Sequence, residues 1–340
     1  MKPKSNINIW RYLPGILISA AAIYFLSRFV NLEDIIASFQ LFSIIDILIL
    51  AIMMVCSLIA RGIVWKSLID GLSLKDGFLI INEGYLFNNL IPRSGEIARI
   101  IFTSSLTRND AFQTAAAIFF ERSIDLLIAA GLFLSTLSMV LEMQWMKTTA
   151  IWIIVLFSLL LVLFLALAYF SSSVENYLRE KRFKSKLIEV KIKPLAFRAM
   201  HGLTAINQPR KLAIAFTWII GTWFFWIMFL YYGITQIYPG APFWWALFTE
   251  GVVALGIALP SAPASLGVYE GTIVFALSLF GINNDAALGA AILLHLIQIV
   301  FTMLFGLIGL FIHDFKLGQI TQKILSHLEK KKTNESGKLI

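Results

Sequence analysis

Long apolar runs make up most of the chain, and the places where they break are more informative than the runs themselves. A helix needs about 20 apolar residues to cross about 30 Å of hydrocarbon. Six stretches meet that requirement, at about 10–28, 44–60, 112–140, 149–170, 212–232 and 286–312. Two further apolar regions, 77–105 and 243–280, are each interrupted in the middle. The first break carries Glu83-Gly84 and then Pro92-Arg93-Ser94-Gly95-Glu96; the second carries Glu250-Gly251 and then Pro260 through Glu270, with Pro263, Ser265 and Gly267 between. Backbone freed by such residues is tolerated at membrane depth only when it is buried in protein or lines a wet cavity. The pattern predicts two re-entrant helical hairpins. Paired interruptions in the two halves of a membrane protein point to a transport site at the midplane.

Composition agrees with the pattern. The 340 residues are 59% hydrophobic and only 14% charged, against about 25% charged in soluble domains. The expected fold class is an all-α, polytopic integral membrane protein forming a single membrane domain over residues 1–340. Cys56 stands alone in an apolar run, which excludes a disulfide framework, and His201, His295, His313 and His327 lack metal-ligand spacing. Neither a metal nor a cofactor is expected. Lys2, Lys4 and Arg11 precede the first apolar run as in a signal peptide, but no convincing cleavage site follows, so an uncleaved first span is expected.

The net charge of +8 would suit nucleic acid, but the positions of the basic residues point elsewhere. With six spans and two hairpins, 23 of the 28 basic residues fall on one face, in the N-terminus, 61–76, 106–111, 171–211 and the tail. Cytoplasmic loops collect Lys and Arg, so the expectation is an inner-membrane, multi-pass protein with both termini cytoplasmic and no nucleic-acid partner. Span, hairpin and span then occur twice with opposite orientation, at about 44–140 and 212–312, joined by 149–170 and the basic loop 171–211 and followed by the basic tail 313–340. This is an inverted repeat. The loop is either an amphipathic segment on anionic lipid or an ordinary positive-inside loop.

Nine ionisable residues fall at predicted membrane depth: Glu83, Arg93, Glu96, Arg99, Glu121, Arg122, Asp125, Glu250 and Glu270. At about 2.5–3.5 kcal/mol each, leaving them uncompensated would cost more than about 20 kcal/mol, above the whole stability of a domain at about 5–15 kcal/mol. They must be paired, hydrated or protonated. Glu121 and Asp125 share a helix face. They either line a polar site or latch to Arg93 or Arg99. Ser94 and Ser265 are candidate N-caps for the return arms, whose N–H groups would face an anion at the midplane. Arg93 adds a bidentate fork. Asn88 and Asn89 bond either freed carbonyls or a ligand.

These residues resemble a known family. Asn89 to Arg99 looks like an "N-x-x-P-G-R-x-G-E-x-x-R" element, Glu121-Arg122-Ser123-Ile124-Asp125 is similar to "E-R-x-x-D", and Pro260 to Glu270 resembles "P-x-x-P-G-G-L-G-x-x-E". The elements belong to the lysylphosphatidylglycerol synthase transmembrane region, also called the flippase-like or UPF0104 family, and the resemblance covers about 10–315. Arg93 stands where the pattern has glycine and Ser94 where it has arginine. Ala264-Ser265 replaces a double glycine, which implies a stiffer second tip.

The resemblance implies a fold like the flippase domain of the multiple peptide resistance factor. It also implies a site built from Asn89, Pro92, Arg93, Glu96, Arg99, Glu121, Arg122, Asp125, Pro260, Pro263, Ser265, Gly267 and Glu270. The expected partners are membrane lipids: an anionic or aminoacylated phospholipid, or a polyprenyl-phosphate lipid. No residues support lysyl transfer. The leading expectation is a lipid transporter. Two alternatives stand beside it. One is an integral-membrane lipid-modifying enzyme using Glu96, Glu121, Asp125 or Glu270 as acid or base; the other is a non-transporting partner of a separate synthase or glycosyltransferase.

Overall fold

The computed structural model describes residues 39–107, 111–140, 169–181, 208–258 and 261–314, with isolated positions between them. Among these residues the chain is helical and contains no strand. The elements are α1 (Ile44–Leu68), α2 (Leu74–Leu90), α3 (Gly95–Leu106), α4 (Ala111–Val140), α5 (Ser171–Glu180), α6 (Pro209–Ile237), α7 (Phe243–Ile257), α8 (Val268–Ser278) and α9 (Asn284–Ile312), with a 3₁₀ turn at Pro263–Ser265. The expected spans 10–28 and 149–170, most of the basic loop, and the tail beyond Asp314 lie outside the described residues, apart from isolated positions.

Local chemistry explains where the helices start. Ser43 and Asp46 form a capping box at α1, with the Ser43 N–H donating to Asp46 Oδ2 at 2.8 Å. The Ser73 hydroxyl accepts from the Asp76 N–H at the start of α2, and the Asn283 side-chain Oδ1 accepts from the Asp285 and Ala286 N–H groups at α9. Pro209 occupies the first turn of α6, where a missing N–H costs nothing.

Three of the helices, α1, α6 and α9, are long and apolar enough to cross a membrane. The 30-residue α4 has the length but carries Glu121, Arg122 and Asp125 mid-helix. Two pairs, α2/α3 and α7/α8, are the interrupted regions, and within each pair the helices pack on one another. One boundary needs correction. The first of the three long helices runs on past position 60 to Leu68, so Arg61 is a buried helix residue and not part of a cytoplasmic loop.

Packing joins the halves. α1 lies along α6, α9 along α2, and α7 along α4. Glycines permit close approach: a Cβ on Gly251 of α7 would lie 2.7 Å from the Phe133 backbone nitrogen of α4, and one on Gly306 of α9 would lie 2.7 Å from the Asn82 carbonyl of α2. Trp65, Phe87 and Phe102 are fully buried at the centre of one apolar cluster, and Leu230, Ile273 and Leu294 at the centre of another.

The tips are built differently from the sequence expectation. Ser94 precedes α3 but makes no cap bond; its hydroxyl donates to the Phe87 and Ile91 carbonyls and so closes the end of α2. The Gly95 N–H is instead met by Asn88 Oδ1 at 2.7 Å, reaching across the hairpin. Ser265 does not cap α8 either. Gly267 is the N-cap residue, at φ 81°, and its N–H donates to Glu270 Oε2 at 2.7 Å.

Arg93, Ala264 and Ser265, which stand at the family pattern's glycine positions, have φ of 60°, 55° and 57°. The backbone therefore keeps the left-handed turn that glycine would adopt freely, at a cost of about 1–2 kcal/mol per residue. Replacing Ala264 by glycine is expected to leave thermal stability unchanged or raise it by up to about 1 kcal/mol, since the relieved strain is partly offset by unfolded-chain entropy. Replacing Ala264 by valine should lower stability by more than about 1 kcal/mol, because a β-branched residue tolerates that φ worst. A melting point that falls more for glycine than for valine would contradict this backbone.

Candidate functional site

Charged side chains from three helices, with a tryptophan from a fourth, converge beside the first hairpin. On α1, Ser57, Arg61 and Trp65 recur every four residues on one buried face. On α3, Arg99 lies against Gly84 of α2, where a Cβ would meet the Arg99 stem at 2.8 Å. Glu121, Arg122 and Asp125 come from α4, and Trp223 from α6.

The contacts form one network. Arg99 grips Glu121 with both terminal nitrogens, at 3.0 and 2.7 Å, while its guanidinium lies 4.0 Å over the Trp65 ring. Arg61 grips Asp125 at 3.1–3.2 Å and also lies 3.5 Å from Glu121. The Trp223 indole N–H donates to Asp125 at 3.0 Å. Arg122 reaches Glu121 at 3.3 Å, Asp125 at 3.5 Å and Glu96 at 4.0 Å. Three arginines thus face three carboxylates, which answers the desolvation cost.

The network has an inside and an outside. Glu121 has no exposed surface, and the Arg61 and Arg99 side chains are nearly as buried, whereas the Arg122 and Glu96 side chains are 45% and 40% exposed. Arg122 and Glu96 therefore form an open mouth over a closed floor. Among the described residues, Arg61 Nε, Arg99 Nε and Trp65 Nε1 on that floor, with Ser57 Oγ and Thr103 Oγ1 one turn along α1 and α3, are buried without a hydrogen-bond partner. Orphaned groups of this kind are rare in folded proteins. Every one of them can donate a hydrogen bond, and together they suit an acidic oxygen.

The remaining residues expected from the sequence divide between two other places. Arg93 does not meet Glu121 or Asp125; its Nη2 donates to the Ala258 carbonyl at 2.9 Å and ties the first tip to the end of α7. The turn at Pro263–Ser265 packs on α2, so the two tips adjoin. Pro92 lies in the turn between α2 and α3, and Asn89 donates to Thr302 of α9 at 3.1 Å. Glu270, besides capping α8, lies 2.6 Å from His295 Nδ1. Ser265 accepts from the Ser261 hydroxyl at 3.2 Å, and Pro260 lies outside the described residues. Glu250 is half-buried and makes no hydrogen bond or ion pair among the described residues.

The helix N-termini offer less to an anion than the sequence implied, because Asn88 and Glu270 already occupy the first N–H of each return arm. Sequence reasoning also missed Arg61, Trp65 and Trp223. For Arg61 a signal was present, since Gly62-Ile63-Val64-Trp65 continues the apolar run beyond it.

No solved structure matches the chain. A UPF0104 membrane protein of Methanocaldococcus jannaschii is 24% identical over 229 residues, covering 66% of this chain and 93% of that protein. The family model described as the lysylphosphatidylglycerol synthase TM region matches residues 12–306. That match spans most of the chain, and the chain belongs to the lysylphosphatidylglycerol synthase transmembrane-region family of membrane proteins.

Proposed function

We propose that the protein is a flippase-like lipid transporter that binds the head group of a phospholipid or polyprenyl-phosphate lipid between its two hairpins and moves it across the bilayer. The observation that carries this is the arginine–carboxylate network, open at Arg122 and Glu96 and closed over orphaned donors on α1 and α3. A phosphate oxygen suits those donors, and the neighbouring Glu96 and Asp125 suit a cationic head group.

The packing supports an inverted repeat. Exchanging α1 with α6, α2 with α7, α3 with α8 and α4 with α9 turns the α2–α9 contact into α7–α4, α1–α2 into α6–α7, and α3–α4 into α8–α9, all of which occur. Six spans with two re-entrant hairpins and cytoplasmic termini remain the topology that suits this exchange. Cysteines placed in 172–180 and in 238–242 are expected to react with impermeant label from opposite faces of the inner membrane; labelling from one face would end this topology.

The test of function is reconstitution into liposomes carrying labelled phosphatidylglycerol, lysyl-phosphatidylglycerol or polyprenyl phosphate, with translocation and chemical change scored together. Translocation of at least one lipid without change is expected. A modified lipid would favour the enzyme, and neither result would leave a non-transporting partner.

A further inference from the structure

After its polar first turn, the helix α9 is apolar except along one line. His295, Gln298, Thr302, Gly306, Gly309 and His313 are spaced three, four, four, three and four apart, the period of a single helix face. That face lies on α2 and α8. His295 meets Glu270 at one end, Thr302 meets Asn89 in the middle, and His313, just past the end of α9, meets α2 about 27 Å away.

At His313 the geometry requires a proton. Nδ1 lies 2.7 Å from Glu83 Oε1 and Nε2 lies 3.3 Å from Asp76 Oδ1, so a carboxylate oxygen faces each ring nitrogen. A neutral imidazole has one N–H and one lone pair. It can serve one carboxylate, and the lone pair would then repel the other. Both contacts hold when the ring is an imidazolium, which offers an N–H to each carboxylate. Glu83 is fully buried, and its second oxygen, Oε2, has no hydrogen-bond partner among the described residues. His295 differs, because a single Nδ1–H satisfies Glu270.

We propose that His313, Glu83 and Asp76 form a proton-binding site that latches the first hairpin to α9, and that a proton is the ion coupled to the movement of that hairpin. Loaded, the trio carries one net negative charge. Unloaded, it carries two, with the ring lone pair against a carboxylate, and the contact is repulsive. Asp76, Glu83 and Asn89 stand on one continuous helix, so releasing α2 at His313 also loosens the Asn89–Thr302 bond beside the tip. The contact is built tightly: a Cβ on Gly309 would lie 2.8 Å from Glu83 Oε1. Among the described residues, the other charges near it are Lys75 and Asp314 beside the trio in sequence and the exposed Lys66 at the end of α1, while Arg61 is turned to Asp125. Burial works against a charged ring at His313, yet Glu83 and Asp76 raise its pKa above the ordinary histidine value. The latch is therefore complete below about 6.5 and is lost as the pH climbs through the raised value.

The coupling rests on the transporter function; the proton site does not, and two measurements separate them. In nanodiscs, nitrogen NMR of the full chain with labelled histidine should show one ring, absent in His313→Gln, that stays protonated above the ordinary histidine range. Asp76→Asn and Gly309→Ala should each lower its titration point. A ring at position 313 that titrates at or below the ordinary value, or that ignores both substitutions, would overturn the site. In liposomes with fluorescent phosphatidylglycerol, an imposed pH gradient should change the translocation rate at least threefold for the unaltered chain and not for His313→Gln. Equal gradient dependence in both would overturn the coupling. If no lipid moves in any vesicle, the transporter function fails while the NMR result still decides the proton site.

Discussion

Replacing Glu121 by alanine is expected to destabilise the protein by about 3–5 kcal/mol, the cost of leaving a buried charge without its partner. Glu121 is the hub of the network: Arg99 forks onto it, Arg61 flanks it and Arg122 bends over it. Its loss would strand the buried Arg99 guanidinium and loosen α4 from α3, while Arg61 on α1 would keep only Asp125. Since a whole domain is stable by only about 5–15 kcal/mol, the variant should show a greatly lowered melting temperature in detergent or fail to accumulate. Arg122→Ala, at a half-exposed position, should melt close to the unaltered chain. Equal losses for the two substitutions would contradict the division into buried floor and open mouth.

The second large effect is on transport. Arg122→Ala is expected to reduce lipid translocation at least tenfold while the protein stays folded, because Arg122 is the arginine of the network that remains accessible. Arg122→Lys should recover only part of the rate, since a point charge cannot reproduce a planar fork. The comparison is an initial rate in liposomes at matched protein content. Full activity in the lysine variant would mean that only charge matters and that the fork plays no part.

Some of this was legible in the sequence and some was not, for physical reasons. The tips could be read because Pro92 and Pro263 interrupt helices locally, and the left-handed φ at Arg93, Ala264 and Ser265 explains the glycines of the family pattern at those sites. Glu121 and Asp125 were legible as one face of a helix, and Arg99 as a candidate partner. Arg61 was not, because an arginine near the end of an apolar run resembles a positive-inside residue; only packing shows that α1 continues to Leu68. The cap of α3 was misjudged for a related reason. Capping rules look within three residues, whereas Asn88 reaches Gly95 from seven residues upstream. His313 and Glu83 are 230 residues apart, and no local spacing rule joins them. The spacing of polar residues along α9 was the available signal, hidden because histidines were weighed only as metal ligands.

The central claim is that lipid head groups pass through a polar site at the hairpins. Its most direct test is the translocation of labelled anionic phospholipid in liposomes by the unaltered chain, Arg93→Ala and Asp125→Asn, each first shown to be folded. Arg93→Ala removes the bond to the Ala258 carbonyl that joins the two tips, and Asp125→Asn removes the charge held by Arg61 and Trp223. Rapid movement by the unaltered chain and a severalfold loss in both variants are expected. Normal translocation by both folded variants would contradict it.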